Sequence, residues 1–214
     1  MKSEYALAID IQQTQELRGR VEMSVYRWGG YALCISALIN VLQSVWYAAG
    51  GDDIVPVKVV GLVGGVLLIV GLACCLPLMQ KLEPGTRRAG ELGLALLAAA
   101  ALLSLALTLY FMVGGSTADA VSVASSASAL LGLAGALLVG SVTIRTGVFP
   151  VWAGWLLIGG SVLNFVGGLV ELESIASTIG LVSVLMFSSA ILGLGLHIIR
   201  RPADALTADG STRA

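Results

Sequence analysis

Apolar residues along this chain gather into six long runs, at about residues 28–48, 57–79, 92–113, 121–143, 151–170 and 179–199, parted by short polar links. Each run is close to the ~20 residues that an α-helix needs to cross the hydrocarbon of a bilayer. The pattern therefore predicts an all-α fold, an integral membrane bundle of six transmembrane helices spanning residues 28–201. The links at 49–56, 80–91, 114–120, 145–150 and 171–178 leave no room for a soluble domain, so sequential helices should pack as antiparallel neighbours. Pro56, Pro84, Pro150 and Pro202 fall at or beyond helix ends, where a missing N–H does little harm. Pro77 alone lies inside a run and should kink its last turn.

Outside the runs, residues 1–27 are polar and hold no apolar core of a cleavable signal, so the first span is expected to act as its own insertion signal. Leu17, Val21, Val25 and Trp28 recur at helical spacing, which predicts a short amphipathic interfacial helix running into the first span. Residues 202–214 are small and polar and are expected to form a disordered tail.

Composition excludes a water-soluble fold, with 57% hydrophobic and 12% charged residues and a mean hydropathy of +0.93. Charge then sets an orientation. With both termini in the cytoplasm, eleven of the twelve Lys and Arg residues fall inside and Lys58 alone outside. The inverted threading reverses that count, so the positive-inside rule favours termini in the cytoplasm. The same threading leaves five acids, Asp52, Asp53, Asp119, Glu171 and Glu173, on the outer side.

Chemistry is limited by what the spans lack. No Asp, Glu, Lys or Arg lies in the central half of any run, whereas proton relays and ion-coupled carriers depend on such groups. The single histidine, His197, is near the end of the last run and suits an interfacial position. Cys34, Cys74 and Cys75 show no CxxC or Cys/His spacing, so neither a disulfide framework nor a metal site is expected. No set of residues for hydrolysis can be assembled, so no enzyme activity and no cofactor are expected. The expected partner is the lipid bilayer, with a homo-oligomer or another membrane subunit left open and no nucleic acid.

Two patterns of polar and small residues stand out within the runs. Ser36, Asn40, Gln43 and Tyr47 follow one another at helical spacing and form a polar stripe toward the outer end of the first span. Asn164, in the fifth span, falls at nearly the same depth as Asn40. The two amides suit either an interhelical hydrogen bond, worth on the order of 1 kcal/mol, or a polar pocket with Tyr47 and Glu171 at its mouth. Ser128, Gly132, Ala136 and Gly140 form a small-residue row in the fourth span. Such rows let helix backbones approach closely, within one chain or between copies. Gly61 with Gly65, Gly160 with Gly168, and Ser189 with Gly193 repeat the pattern in other spans.

The string RTGVFPVWAGWLLIGG, Arg145 to Gly160, resembles a linker found in a family of uncharacterised bacterial multi-pass inner-membrane proteins, in which Gly-x-Phe-Pro-x-Trp-x-Gly-Trp opens a span. The resemblance implies a multi-pass protein of the bacterial inner membrane and carries no catalytic or binding residue with it. Two functional expectations follow: a non-catalytic accessory or structural membrane protein, favoured by the missing charges, or a binder or transporter of a lipid or small neutral or apolar molecule through a polar pocket at Asn40 and Asn164.

Overall fold

A computed structural model of the protein describes residues 2–52, 54–115, 118–169 and 173–200, with side chains from Ser24 onward along the first helix. Six helices follow one another, α1 (Lys2–Ala48), α2 (Val55–Met79), α3 (Pro84–Met112), α4 (Ala118–Thr146), α5 (Val151–Gly167) and α6 (Glu173–Arg200). No strand occurs among the described residues. Five helices contain segments long and apolar enough to cross a membrane, Ser24–Ala48, Val55–Met79, Pro84–Met112, Val121–Thr146 and Ser177–Arg200. The sixth, α5, is apolar but has only 17 residues, which at 1.5 Å per residue is about 26 Å.

Helix ends differ from the ends of the apolar runs. α3 begins at Pro84 instead of 92, so much of the expected link at 80–91 is helical. Pro84 brings a preset φ to the first turn, and Arg87 Nε donates to Glu91 Oε1 one turn later at 2.7 Å. α5 stops at Gly167 instead of 170, where the Gly168 amide turns back to the Asn164 carbonyl at 3.2 Å. α1 is one continuous helix through the expected interfacial segment; the side chains that would define its amphipathic face before Ser24, and the tail at 202–214, lie outside the described residues. α2 continues through Pro77 to Met79.

Close approaches between helices establish their directions. Gly29 lies against Cys74 near one end of α1 and α2, while Gln43 lies against Gly61 near the other, so these two helices are antiparallel. Gly90 against Met79 and Gly65 against Leu105 give the same result for α2 and α3. Gly93 against Leu138, with Ser104 bonded to Ser128 further along, does so for α3 and α4. Trp152 against Gly193 and Gly160 against Ser183 do so for α5 and α6. Each helix packs chiefly on its sequence neighbours, and α6 closes back on α1, where Gly30 and Gly195 meet. The bundle is a closed ring of six.

The ring is apolar outward. Trp28, Tyr31, Ile35, Leu38, Leu42 and Val45 of α1 are all exposed and follow one another every three or four residues, a stripe facing away from the ring. Val59, Val63, Val66 and Val70 do the same on α2. Apolar faces of this extent are a liability in water and are what a lipid-facing wall requires. This is the architecture of a membrane-spanning protein.

Inside the ring, the two ends differ. At the end holding Arg145 and Arg200, a plug of fully buried side chains fills the axis, with Leu33, Leu72, Met79, Val139, Phe149 and Leu194 each no more than 2% exposed. The plug is closed over by the α4–α5 corner. Gly147 takes a φ of +63°, the left-handed region glycine adopts without penalty, and returns its amide to the Thr143 carbonyl at 2.9 Å. The chain then drops Phe149 into the axis, edge-to-face on His197 at 6.1 Å, and Pro150 caps α5. His197 is therefore packed at the closed end of the ring.

Candidate functional site

Toward the opposite end the ring holds open space, a cavity of about 720 Å³ walled by all six helices. This is within the usual size of small-molecule sites. Tyr47, Lys58, Phe111 and Asn164 line it near the helix ends. Below them come Gln43, Asn40, Thr108, Ser104, Ser128 and Ser161. Leu68, Leu97, Leu133 and Phe187 line it deeper still, next to the plug. The wall is thus mostly polar toward the mouth and mostly apolar at the floor, where the buried Ser188 hydroxyl beside Phe187 has no partner.

Three of the four residues of the α1 stripe reach this cavity, and Asn164 faces it from α5. Ser36 does not; it is fully buried in the plug region, with a hydroxyl that has no hydrogen-bond partner. Asn40 and Asn164 are not joined by a hydrogen bond, and neither side chain is bonded elsewhere among the described residues. Their helices are not neighbours in the ring, so the amides line one space instead of stitching two helices together. Gln43 is held differently. Its amide nitrogen donates to the Val57 carbonyl at 2.7 Å, in the room left by the missing side chain of Gly61. Glu171, expected at the mouth, lies outside the described residues.

The small-residue row of α4 divides between two tasks. Ala136 is fully buried, and a Cβ on Gly140 would stand 2.9 Å from the Gly154 carbonyl oxygen, so this half packs on helices of the same chain. Ser128 and Gly132 instead line the cavity. The Ser128 hydroxyl is within 3.0 Å of the Ala100 carbonyl and 2.9 Å of the Ser104 hydroxyl, linking α3 and α4. A Cβ on Gly132 would meet only Ala100 Cβ, at 3.8 Å. The other proposed rows hold in part: Gly61, Gly65, Gly160 and Gly193 accept neighbouring groups, but Gly168 caps α5 and Ser189 is exposed.

Several cavity residues carried no signal in the chain's pattern. Among the described residues Lys58 is the one charged side chain in the wall, and Ser44, Ser104, Ser125, Ser161, Ser183 and Ser188 add hydroxyls. Serines in apolar helices are so often spent on packing or on their own backbone that spacing alone does not single them out. Among the described residues no carboxylate, imidazole or thiol lines the cavity, and the described wall is made of hydrogen-bonding groups with the Lys58 side chain. Compared with protein-family models, with curated proteins and with solved structures, the chain matches none.

Proposed function

We propose that this chain is a six-span protein of the bacterial inner membrane, with both termini cytoplasmic, that binds a small hydrogen-bonding molecule in the cavity of its helix ring without chemically transforming it. The carrying observation is that Asn40 and Asn164, from helices on separate parts of the ring, turn unbonded amides into one cavity. Polar groups in a membrane interior that stabilise helix packing find partners across the interface. Amides left without one, facing a cavity of this size, suit a ligand.

The antiparallel ring and the distribution of basic residues support this orientation. Arg27, Lys81, Arg87, Arg88, Arg145 and Arg200 fall at the plugged end and Lys58 at the open one, so the positive-inside rule sets the mouth outward. α5 counts as a span on this reading because 17 residues is at the lower limit for a membrane helix, and the alternation of helix direction supports a crossing between α4 and α6. That the described residues of the cavity wall hold no acid–base pair supports binding over catalysis. The accessory-subunit reading is weaker because much of the α4 row that suggested it is spent on α3 and α5 of the same chain.

The test is Asn40→Leu and Asn164→Leu, each assayed by native mass spectrometry of protein released with minimal delipidation and by thermal melting. A small-molecule mass retained by the parent chain and lost from both variants, with melting unchanged, is the expected result. A parent chain with no bound mass, together with equal loss of melting temperature in both variants, would return the amides to a packing role.

A further inference from the structure

From the same cavity we infer the class of its ligand: a neutral solute bearing several hydroxyl groups, such as a short polyol. This rests on the binding reading above and deepens it. On α1, Asn40 and Ser44 are one turn apart and both line the cavity; on α5, Ser161 and Asn164 are likewise one turn apart and line it. Two walls that are not ring neighbours thus each present one amide and one hydroxyl. None of the four side chains is hydrogen-bonded within the protein among the described residues.

The chemistry of these four groups narrows the ligand. An amide offers an acceptor oxygen and two donors, and a hydroxyl both donates and accepts. A partner must therefore supply donors and acceptors at close, repeated intervals along its length, as a chain of carbon-bound hydroxyls does. A cation finds no carboxylate among the described residues of this wall, and taking an ion out of water without a counter-charge is costly. Among the described residues of the wall an anion would meet a single cation, Lys58, near the mouth. A purely apolar molecule would cover both amides without bonding them, which leaves buried donors and acceptors unmet. Leu97, Leu133 and Phe187 at the floor suit the C–H faces of a polyol's carbon chain. Of the other polar groups, Gln43 is bonded to Val57, Ser104 and Ser128 to each other, and Ser183 donates to the Gly180 carbonyl at 2.8 Å, while Ser125 and the buried, unpartnered Ser188 hydroxyl add further hydroxyls to the same wall.

The full-length protein in lipid nanodiscs is dialysed to equilibrium against radiolabelled glycerol, xylitol and mannitol, with gluconate, choline and hexanol as charged and apolar comparators. The expected result is saturable uptake of at least one polyol, tighter than any comparator, weakened about fivefold by Ser161→Ala and by Ser44→Ala, the size of effect one lost hydrogen bond produces. Melting of both serine variants should match the parent, since neither hydroxyl bonds the protein. Tighter uptake of gluconate, choline or hexanol, sensitive to Asn40→Leu, would overturn the polyol assignment and leave the binding function standing. Polyol uptake indifferent to both serine variants would overturn it as well. Uptake of none of the six, with no retained mass in the native spectrum, would remove both.

Discussion

At the scale of single residues, glycine does two opposite things in this ring, and the distances separate them. A Cβ on Gly195 would stand 2.6 Å from the Gly30 carbonyl oxygen, and one on Gly30 would stand 2.9 Å from the Gly195 carbonyl oxygen. Backbone cannot move aside as a flexible side chain can, so Gly195→Ala should force α1 and α6 apart at the seam that closes the ring. The expected cost is about 1–3 kcal/mol, the usual range for overpacking, seen as a lower melting temperature in detergent or nanodiscs. Gly132→Ala is the control: its Cβ would meet only Ala100 at 3.8 Å, so melting should be unchanged while ligand capacity falls as the cavity narrows. An equal loss for both variants would mean that the close backbone contact at Gly195 does not set it apart from Gly132, since helix propensity alone would favour Ala at both positions. The polar stripe at Asn40, Gln43 and Tyr47 was legible in the sequence because its period alone puts it on one face. The Gly30–Gly195 contact was not, since its two members are 165 positions apart and only the closure of the ring brings them together.

Among the elements, the α4–α5 corner explains the most distinctive string in the chain. Gly147 supplies the left-handed turn, Thr146 Oγ1 donates to the Val142 carbonyl at 2.8 Å and accepts from the Val148 amide at 3.3 Å, and Pro150 starts the next helix. Between them Phe149 is driven into the axis, 1% exposed, while Trp152 and Trp155 stay outside at 52% and 60%, as interfacial anchors do. The sequence marked the glycine, the proline and the tryptophans. It did not mark Phe149 as the stopper of the ring, because an aromatic in a linker has no period to read. Phe149→Ala should cost about 3–5 kcal/mol by opening the plug beneath His197, whereas Trp155→Ala, which removes a side chain from the outer surface, should leave melting little changed. Comparable losses from both would show that Phe149 is not a core residue. The apolar runs were likewise legible as helices but not in length: α3 gains its first turns from Pro84 and the Arg87–Glu91 pair, which hydropathy counts against a span.

For the whole molecule, the closed ring reconciles a composition that excludes a water-soluble fold with a wall rich in amides and hydroxyls. The sequence predicts an apolar exterior and alternating crossings, but a row of six helices and a ring of six have the same hydropathy profile. Only the α1–α6 seam encloses space, and so the cavity was foreshadowed by Asn40 and Asn164 without its wall of serines being visible. The ring also makes a directional claim, since one end is open and lined with polar groups and the other is plugged. In a background with Cys34, Cys74 and Cys75 replaced by Ala, Ser104→Cys and Ser125→Cys should react with a membrane-impermeant thiol reagent added outside intact cells, because both positions face the cavity and are exposed. Val139→Cys and Leu194→Cys, at 0% and 2% exposure in the plug, should stay unlabelled from either side. Labelling of the cavity positions only after the inner face is exposed would invert the orientation while keeping the ring. Equal labelling of cavity and plug positions would show a channel open at both ends, in which the leucine and phenylalanine plug no longer separates a binding site from the far side of the membrane.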